Sequence, residues 1–469
     1  MSELNDLLAA AAPAVPAPLD LGYRPAIRVW EAYGRLVNES ERTEPLALAV
    51  EDTDGRVSRW DAQILAPGEN DVATQYVVER AAKFLLWSRG GCRMVVGGAP
   101  QWADAIRNLY AADGRRAFDA ELMTRIYERP FEVLTGGVDE APRSAESAAK
   151  IGGHLDGCRI GFDLGASDYK LAAVRDGEPV FSTEIPWDPQ TQSDPDYHYR
   201  KIREGLKLAA SHLPRVDAIG GSSAGAYVNN RPMVASLFRS VPPERFAADV
   251  QPMFEKLQRE WGVPLVVIND GDVTALAGAM SLKKPGMFGM AMGSSEAVGF
   301  LNKRGSITGW LNELAFAPVD LNLEAAVDEW SGDVGVGALS FSQQAVNRLA
   351  PAAGLRFPDE MGLPERLKTV QGKADVGDET AAKIFETIGV YLAYTLPWYR
   401  LFYEFDDVLI LGRVTSGRGG DRILDTARQV LKAEFADTER ELNIHVPDET
   451  SRRVGQAVAA ASLPALSEE

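Results

Sequence analysis

A chain of 469 residues exceeds what one hydrophobic core ordinarily serves and implies about three units at ~150 residues each, while 45% hydrophobic and 25% charged residues exclude a largely disordered or fibrous protein. Lys plus Arg number 49 against 67 Asp plus Glu, a formal net charge of −18, and with no long basic run that field argues against nucleic acid or an anionic membrane surface as partner. Two distant cysteines, Cys92 and Cys158, exclude a disulfide framework and a Cys-rich zinc site; with no basic leader and no run of about 18 apolar residues, the expectation is a cytoplasmic protein.

Residues 1–25 are Ala- and Pro-rich and read as a loose tail. The string PLALAVEDTDGRVSRWDAQIL predicts a β-hairpin turning at Asp54-Gly55. NDVATQYVVERAAKFLLW then predicts a helix capped by Asn70 or Asp71 and stopped by Gly90-Gly91, ahead of the strand-like CRMVVGG. These define an N-terminal α/β domain at 26–134. A linker follows at 135–156, where TGGVDEAPRSAESAAKIGGH is short of large apolar residues. From Arg159 the pattern restarts as strand, glycine turn, strand, a tight turn at Asp176-Gly177 and a third strand, followed by a helix from about His198 to His212.

Four strings offer chemistry. In DLGASDYK, a small-residue turn lets backbone amides approach phosphate, the Ser167 hydroxyl can bond a phosphate oxygen, and Asp163 can hold Mg²⁺ through water; an ordinary hairpin with a strand-end Asp has the same pattern. VVINDGD is an apolar strand ending in carboxylates that enter a helix, which suits Asp270 to take a proton from a bound hydroxyl, although Asn269, Asp270 or Asp272 capping that helix accounts for it equally. MAMGSSEAVGF is again strand, small polar turn, strand, fit to cradle phosphates or simply to turn. LILGRVTSGRGGD opens a strand onto a helix through small residues, as under a purine or as tight packing requires. Individually weak, the four are informative in their order.

In that order the strings resemble the motifs of the sugar-kinase, actin and heat-shock ATPase superfamily, and within it the ROK family of sugar kinases and sugar-responsive repressors, over residues 158–465. The resemblance implies an α/β fold of two RNase-H-like lobes closing on a central cleft, at 157–272 and 273–448, with a C-terminal helix and acidic tail at 449–469 returning to the first lobe. It implies Asp270 as general base and Asn269, Glu313, Gly225 and Asn229 as substrate ligands. ATP would lie against Asp163, Gly165, Ser167, Lys170, Gly293, Ser294, Ser295, Gly412, Arg413 and Gly417, with Mg²⁺ near Asp163. The implied activity is ATP-dependent phosphorylation of a sugar or sugar-like polyol, with a catalytically silent sugar or nucleotide sensor as the alternative and a homodimer as one implied state.

Three departures accompany the resemblance. Phe316 stands where the family has a His, and Val336 and Ala338 stand where a zinc Cys and a second sugar-binding Glu are expected, so no structural zinc is expected. The N-terminal α/β domain replaces the winged helix-turn-helix of the repressors, which disfavours the repressor reading. Its aromatic and Arg content suggests a packed domain that covers the lobes or mediates self-association.

Overall fold

The computed structural model describes residues 2–145, 151–446 and 449–466, with residues 449–454 described by their backbone. The N-terminal unit holds a four-stranded sheet built from β1 (Thr43–Glu51), β2 (Val57–Leu65), β3 (Arg93–Gly98) and β4 (Glu132–Gly136) in the order β2-β1-β3-β4. The predicted hairpin joins β1 to β2; Asp52 accepts from the backbone N–H groups of Asp54 and Arg56, and Gly55 takes φ +76°. Strand alternation sends Leu46, Leu48 and Val50 into the main core and Ala47 and Ala49 to the opposite face.

The helix Asp71–Arg89 runs across that main core, capped by the Asn70 side chain. Its charged face is buried too: Glu79, Arg80 and Lys83 join Arg116, Asp119 and Asp333 in an ion cluster. Asp333 sits at its centre, 2.9 Å from Arg80, 2.6 Å from Lys83 and 2.7 Å from Arg116. Burial alone pushes the Asp333 carboxyl up, but Arg80 and Lys83 outweigh it and hold the group below the usual carboxylate range. Because Asp333 belongs to the second lobe, the cluster rivets the N-terminal unit to that lobe. Aromatic pairs continue the junction, Phe84 against Trp398 at 5.2 Å and Trp60 against Phe402 at 5.5 Å.

The first lobe is a five-stranded sheet of β5 (Cys158–Leu164), β6 (Asp168–Arg175), β7 (Glu178–Pro186), β8 (Ala218–Ser223) and β11 (Leu265–Asn269), ordered β11-β8-β5-β6-β7; β9 (Ala226–Val228) and β10 (Arg231–Val234) form a separate hairpin. β5, β8 and β11 run parallel. One face packs a separate core around Phe162, Leu171 and Phe254. The other receives the helix Glu449–Ala461, and a side chain at Gly161 or Gly220 would collide with the carbonyl of Ala457 or Ala460, so glycine is what admits the helix so closely. In the second lobe β12 (Met287–Met292), β13 (Glu296–Phe300), β14 (Asp407–Leu411) and β15 (Asn443–His445) are ordered β13-β12-β14-β15, beside the helices Glu379–Arg400 and Gly417–Glu434.

Two expectations need correction. The start of the chain is not a loose tail: Ser2–Ala10 is a helix whose Leu4, Leu7 and Leu8 form one buried stripe. Beyond it, the Val15 N–H donates to Tyr394 Oη, the Leu19 N–H to Thr387 Oγ1 and the Arg24 N–H to Asp320 Oδ1, each partner nearly 300 residues or more away. Nor does the linker start at 135, since β4 runs to Gly136, Ala141 is buried and Ala145 pairs with Val57. The middle of that stretch, 146–150, lies outside the described residues.

Candidate active site

Parallel register aligns the ends of three strands: Asp163 on β5 lies beside Ser222 on β8, and Ser223 beside Asn269 on β11. Ser222 Oγ donates to Asp163 Oδ1 at 2.8 Å, and Lys170 Nζ, from the neighbouring β6, donates to Asp163 Oδ2 at 3.1 Å. Asn269 caps the helix Asp270–Leu282 by accepting from the Gly271 N–H at 2.7 Å, while its Nδ2 donates to the Gly225 carbonyl at 2.9 Å. One side chain thereby fixes both the entry to that helix and the loop at Gly225. Asp270 follows at the first helical position; burial, and after it the charge of Asp163, pushes its carboxyl up to about 6.

Opposite stands the β12–β13 turn, closed by the Gly293 N–H donating to the Ser295 carbonyl at 2.9 Å and tied down by the Gln343 N–H to the Gly293 carbonyl. A third wall is the loop at Glu313. The N–H groups of Leu311, Asn312 and Glu313 donate to the carbonyls of Arg89, Ser88 and Trp87, all at 3.1 Å. Those carbonyls end the helix Asp71–Arg89 and have no intrahelical partner, so the N-terminal unit sets the position of Glu313. Burial, then Asp270 and Asp272, pushes the Glu313 carboxyl up to about 7.

These walls enclose a cavity of about 340 Å³ lined by Gly225, Asn269, Asp270, Gly293, Ser294, Ser295 and Glu313. Among the lining residues that sequence reasoning did not assign to the site are Trp87, Leu122, Ile126 and Glu296. The first three belong to the N-terminal unit, and no local pattern announces them. Glu296 carried a signal, a lone charge opening an otherwise apolar strand. Phe316 also lines the cavity, its ring centroid 4.6 Å from that of Trp87. Where the resemblance expects a polar His, this chain therefore has an aromatic wall of two tilted rings.

Other expected residues lie outside this cavity. The turn at Gly165 and Ser167 is held by Trp187, whose Nε1 donates to the Gly165 carbonyl and whose N–H donates to the Ser167 carbonyl, while Ser167 Oγ donates to Asp168. Gly412, at φ +111°, packs against Met292 at the end of β12. Arg413 is exposed, and Gly417 opens the helix Gly417–Glu434, where the Arg418 N–H donates to Asp375. Asn229 is exposed at the β9–β10 turn with φ +50° and is not brought to the cavity; its neighbour Asn230 bonds the backbone of Leu265 and Val267. Among the described residues no group of three or more His, Cys, Asp or Glu side chains could hold a metal ion. Asp163 is a single carboxylate, which suits Mg²⁺ held mainly by phosphate and water.

No family model matches the chain and no curated protein matches it, whereas solved structures do. The chain is similar to a ROK hexokinase from Thermus thermophilus, with TM-score 0.50 and 16% identity over 65% of this chain and 97% of that one. It is similar to a ROK family transcriptional regulator, a homologue of the E. coli MLC protein, with TM-score 0.53 and 17% identity over 78% and 89% of the two chains. A ROK glucokinase from Streptomyces griseus, solved with glucose and AMPPNP, aligns at TM-score 0.49 and 17% identity over 65% and 98%. The protein thus has the α/β fold shared by ROK sugar kinases and a ROK regulator. No helix among the described residues is long and apolar enough to cross a membrane.

Proposed function

We propose that this protein is a divergent ROK-type phosphotransferase that uses ATP and Mg²⁺ to phosphorylate a hydroxyl of a sugar or sugar-like polyol, with Asp270 as general base. One observation carries the reading: a strand-end carboxylate pushed up to about 6 shares a cleft with Asn269, Glu313 and the Gly293–Ser295 turn. At neutral pH such a group is ionised yet more basic than an ordinary Asp, as a base for an alcohol requires. Asn269 and Glu313 would orient the hydroxyl carrier. Backbone amides at Gly165–Ser167 and Gly293–Ser295 would face the phosphates. Mg²⁺, when bound near Asp163, would neutralise charge on the phosphates. Closure of the lobes would exclude water.

The test is ADP release from Mg-ATP in the presence of a panel of sugars and polyols. Asp270→Asn is expected to lower kcat by roughly 10²–10⁴-fold with ATP affinity retained; normal turnover in that variant would remove Asp270 from the role. A second reading, a sugar- or nucleotide-sensing regulator of the same fold, is favoured by the engagement of both Asp163 oxygens by Lys170 and Ser222. Ligand binding without any ADP release would select it.

A further inference from the structure

The cavity is one-sided in charge. Asp270, Glu296 and Glu313 all line it, and no Lys, Arg or His is among its lining residues. Asp272 lies buried behind them, accepting from the Phe300 N–H at 3.2 Å and from Asn312 Nδ2 at 2.9 Å. Glu296 is the least expected member. It is 3% exposed, its Oε1 accepts from Tyr399 Oη at 3.0 Å, and its Oε2 has no hydrogen-bond partner. An unpartnered carboxylate oxygen this deep is costly unless something donates to it. Trp87 and Phe316 also line the cavity and present aromatic surface, which attracts both the C–H face of a saturated ring and a cation.

We propose that the substrate carries a protonated amine beside the hydroxyl that reacts, an amino sugar or aminocyclitol in chemical class, with Glu296 and Glu313 taking the ammonium. The inference rests on the phosphotransferase reading for the hydroxyl, and on the cavity alone for the amine. A neutral polyol brings donors but nothing that favours the charged form of these carboxyls. An ammonium brings three donors and the missing charge, and leaves Asp270 free for the hydroxyl. Without ligand, burial followed by the neighbouring carboxylate pushes Glu296 up to about 8, and burial with Asp270 and Asp272 pushes Glu313 up to about 7. Both therefore hold protons near neutrality that a bound cation would expel.

The experiment is calorimetric titration of the full chain at pH 7, without nucleotide, using matched pairs: glucosamine with glucose, galactosamine with galactose, and an aminocyclitol with inositol. Repetition in two buffers of different ionisation enthalpy reads proton release. At least one amine should bind about tenfold or more tightly than its neutral partner, with proton release that the neutral partner does not show. Glu296→Gln, which keeps an acceptor for Tyr399, and Glu313→Gln should each erase most of that preference without lowering the melting temperature. Equal affinities within every pair, no binding of any amine, or a preference that survives both variants overturns the inference. ADP release separates the two readings: amine preference without turnover sinks the phosphotransferase and leaves the amine site, whereas turnover indifferent to the amine does the reverse.

Discussion

The two halves of the molecule are held together by different means. The first lobe has its own core, closed on one face by Phe162, Leu171 and Phe254 and on the other by the C-terminal helix. The second lobe keeps only a small core of its own, around Val273, Leu276 and Leu409: its aromatic interior runs without a break into the N-terminal unit, and buried charges tie the two together. The difference shows in the cavity. The first lobe offers Asn269 and Asp270, with Asp163 at an adjoining strand end outside the lining, and their placement needs only local register. The opposite side is assembled from Glu313, held on the carbonyls of the helix Asp71–Arg89, and from Trp87, Leu122 and Ile126 of the N-terminal unit. That unit is thus part of the second lobe's structure and supplies part of the site.

The largest expected effect is loss of the central anion of that junction. Asp333→Ala leaves Arg80, Lys83 and Arg116 in the interior with only Glu79 and Asp119 against them and should cost about 3–5 kcal/mol, read as a fall in the urea midpoint. Ligand affinity should fall with it, because Glu313 hangs on the same helix. A loss below about 1 kcal/mol, the scale of an exposed pair, would show that the junction does not depend on the cluster. Next comes the docked start of the chain. Leu7→Ala removes a side chain that is 3% exposed and should cost about 2–4 kcal/mol, whereas a detached tail would show no change in the same measurement.

What the sequence made legible follows the same division. Asp163, Asn269, Asp270 and the turn at Gly293–Ser295 could be placed because their chemistry is local, a strand that ends in polar residues at a helix cap or a tight turn. The charged face of the helix Asp71–Arg89 could not, because Glu79, Arg80 and Lys83 look like a solvated face until Arg116, Asp119 and Asp333 arrive from elsewhere in the chain. The docked tail escaped for the same reason, since its hydrogen-bond partners lie on the helix Glu379–Arg400 and at Asp320. Asn229 was carried over from the family resemblance, and the fold puts it on an exposed turn.

A buried carboxyl of the second lobe and a buried imidazole of the first should respond oppositely to pH. In the second lobe, burial chiefly pushes Glu296 up to about 8 from 4.5. Between those values the native state binds more protons than the unfolded chain, so stability falls as pH rises through the window. Glu296→Gln should flatten much of that slope and leave the variant on the order of 1–2 kcal/mol more stable than wild type at pH 8, with the two alike near pH 4.5. Asp272 and Asp320, each pushed up to about 7 chiefly by burial, keep a residual slope. Urea midpoints that do not converge at low pH would remove Glu296 as the source.

The smallest effect belongs to the first lobe. His198 is fully buried against Trp187, Tyr197 and Phe238; its Nε2 lies 2.9 Å from the Pro189 carbonyl, and its Nδ1 has no partner. Burial lowers its pKa from 6.5, only partly opposed by the backbone carbonyls around it. Below 6.5 the unfolded chain therefore binds a proton that the native ring resists, and stability falls as pH drops, the reverse of the Glu296 slope. His198→Phe should remove this acid-side slope even though it loses the Pro189 contact. In a Glu296→Gln background, where the residual carboxylate slope is common to both proteins, the urea midpoint at pH 5 relative to that at pH 7 should therefore be higher in the variant than in its parent. If the spread is unchanged, the acid sensitivity arises elsewhere and the first lobe's core is neutral to pH.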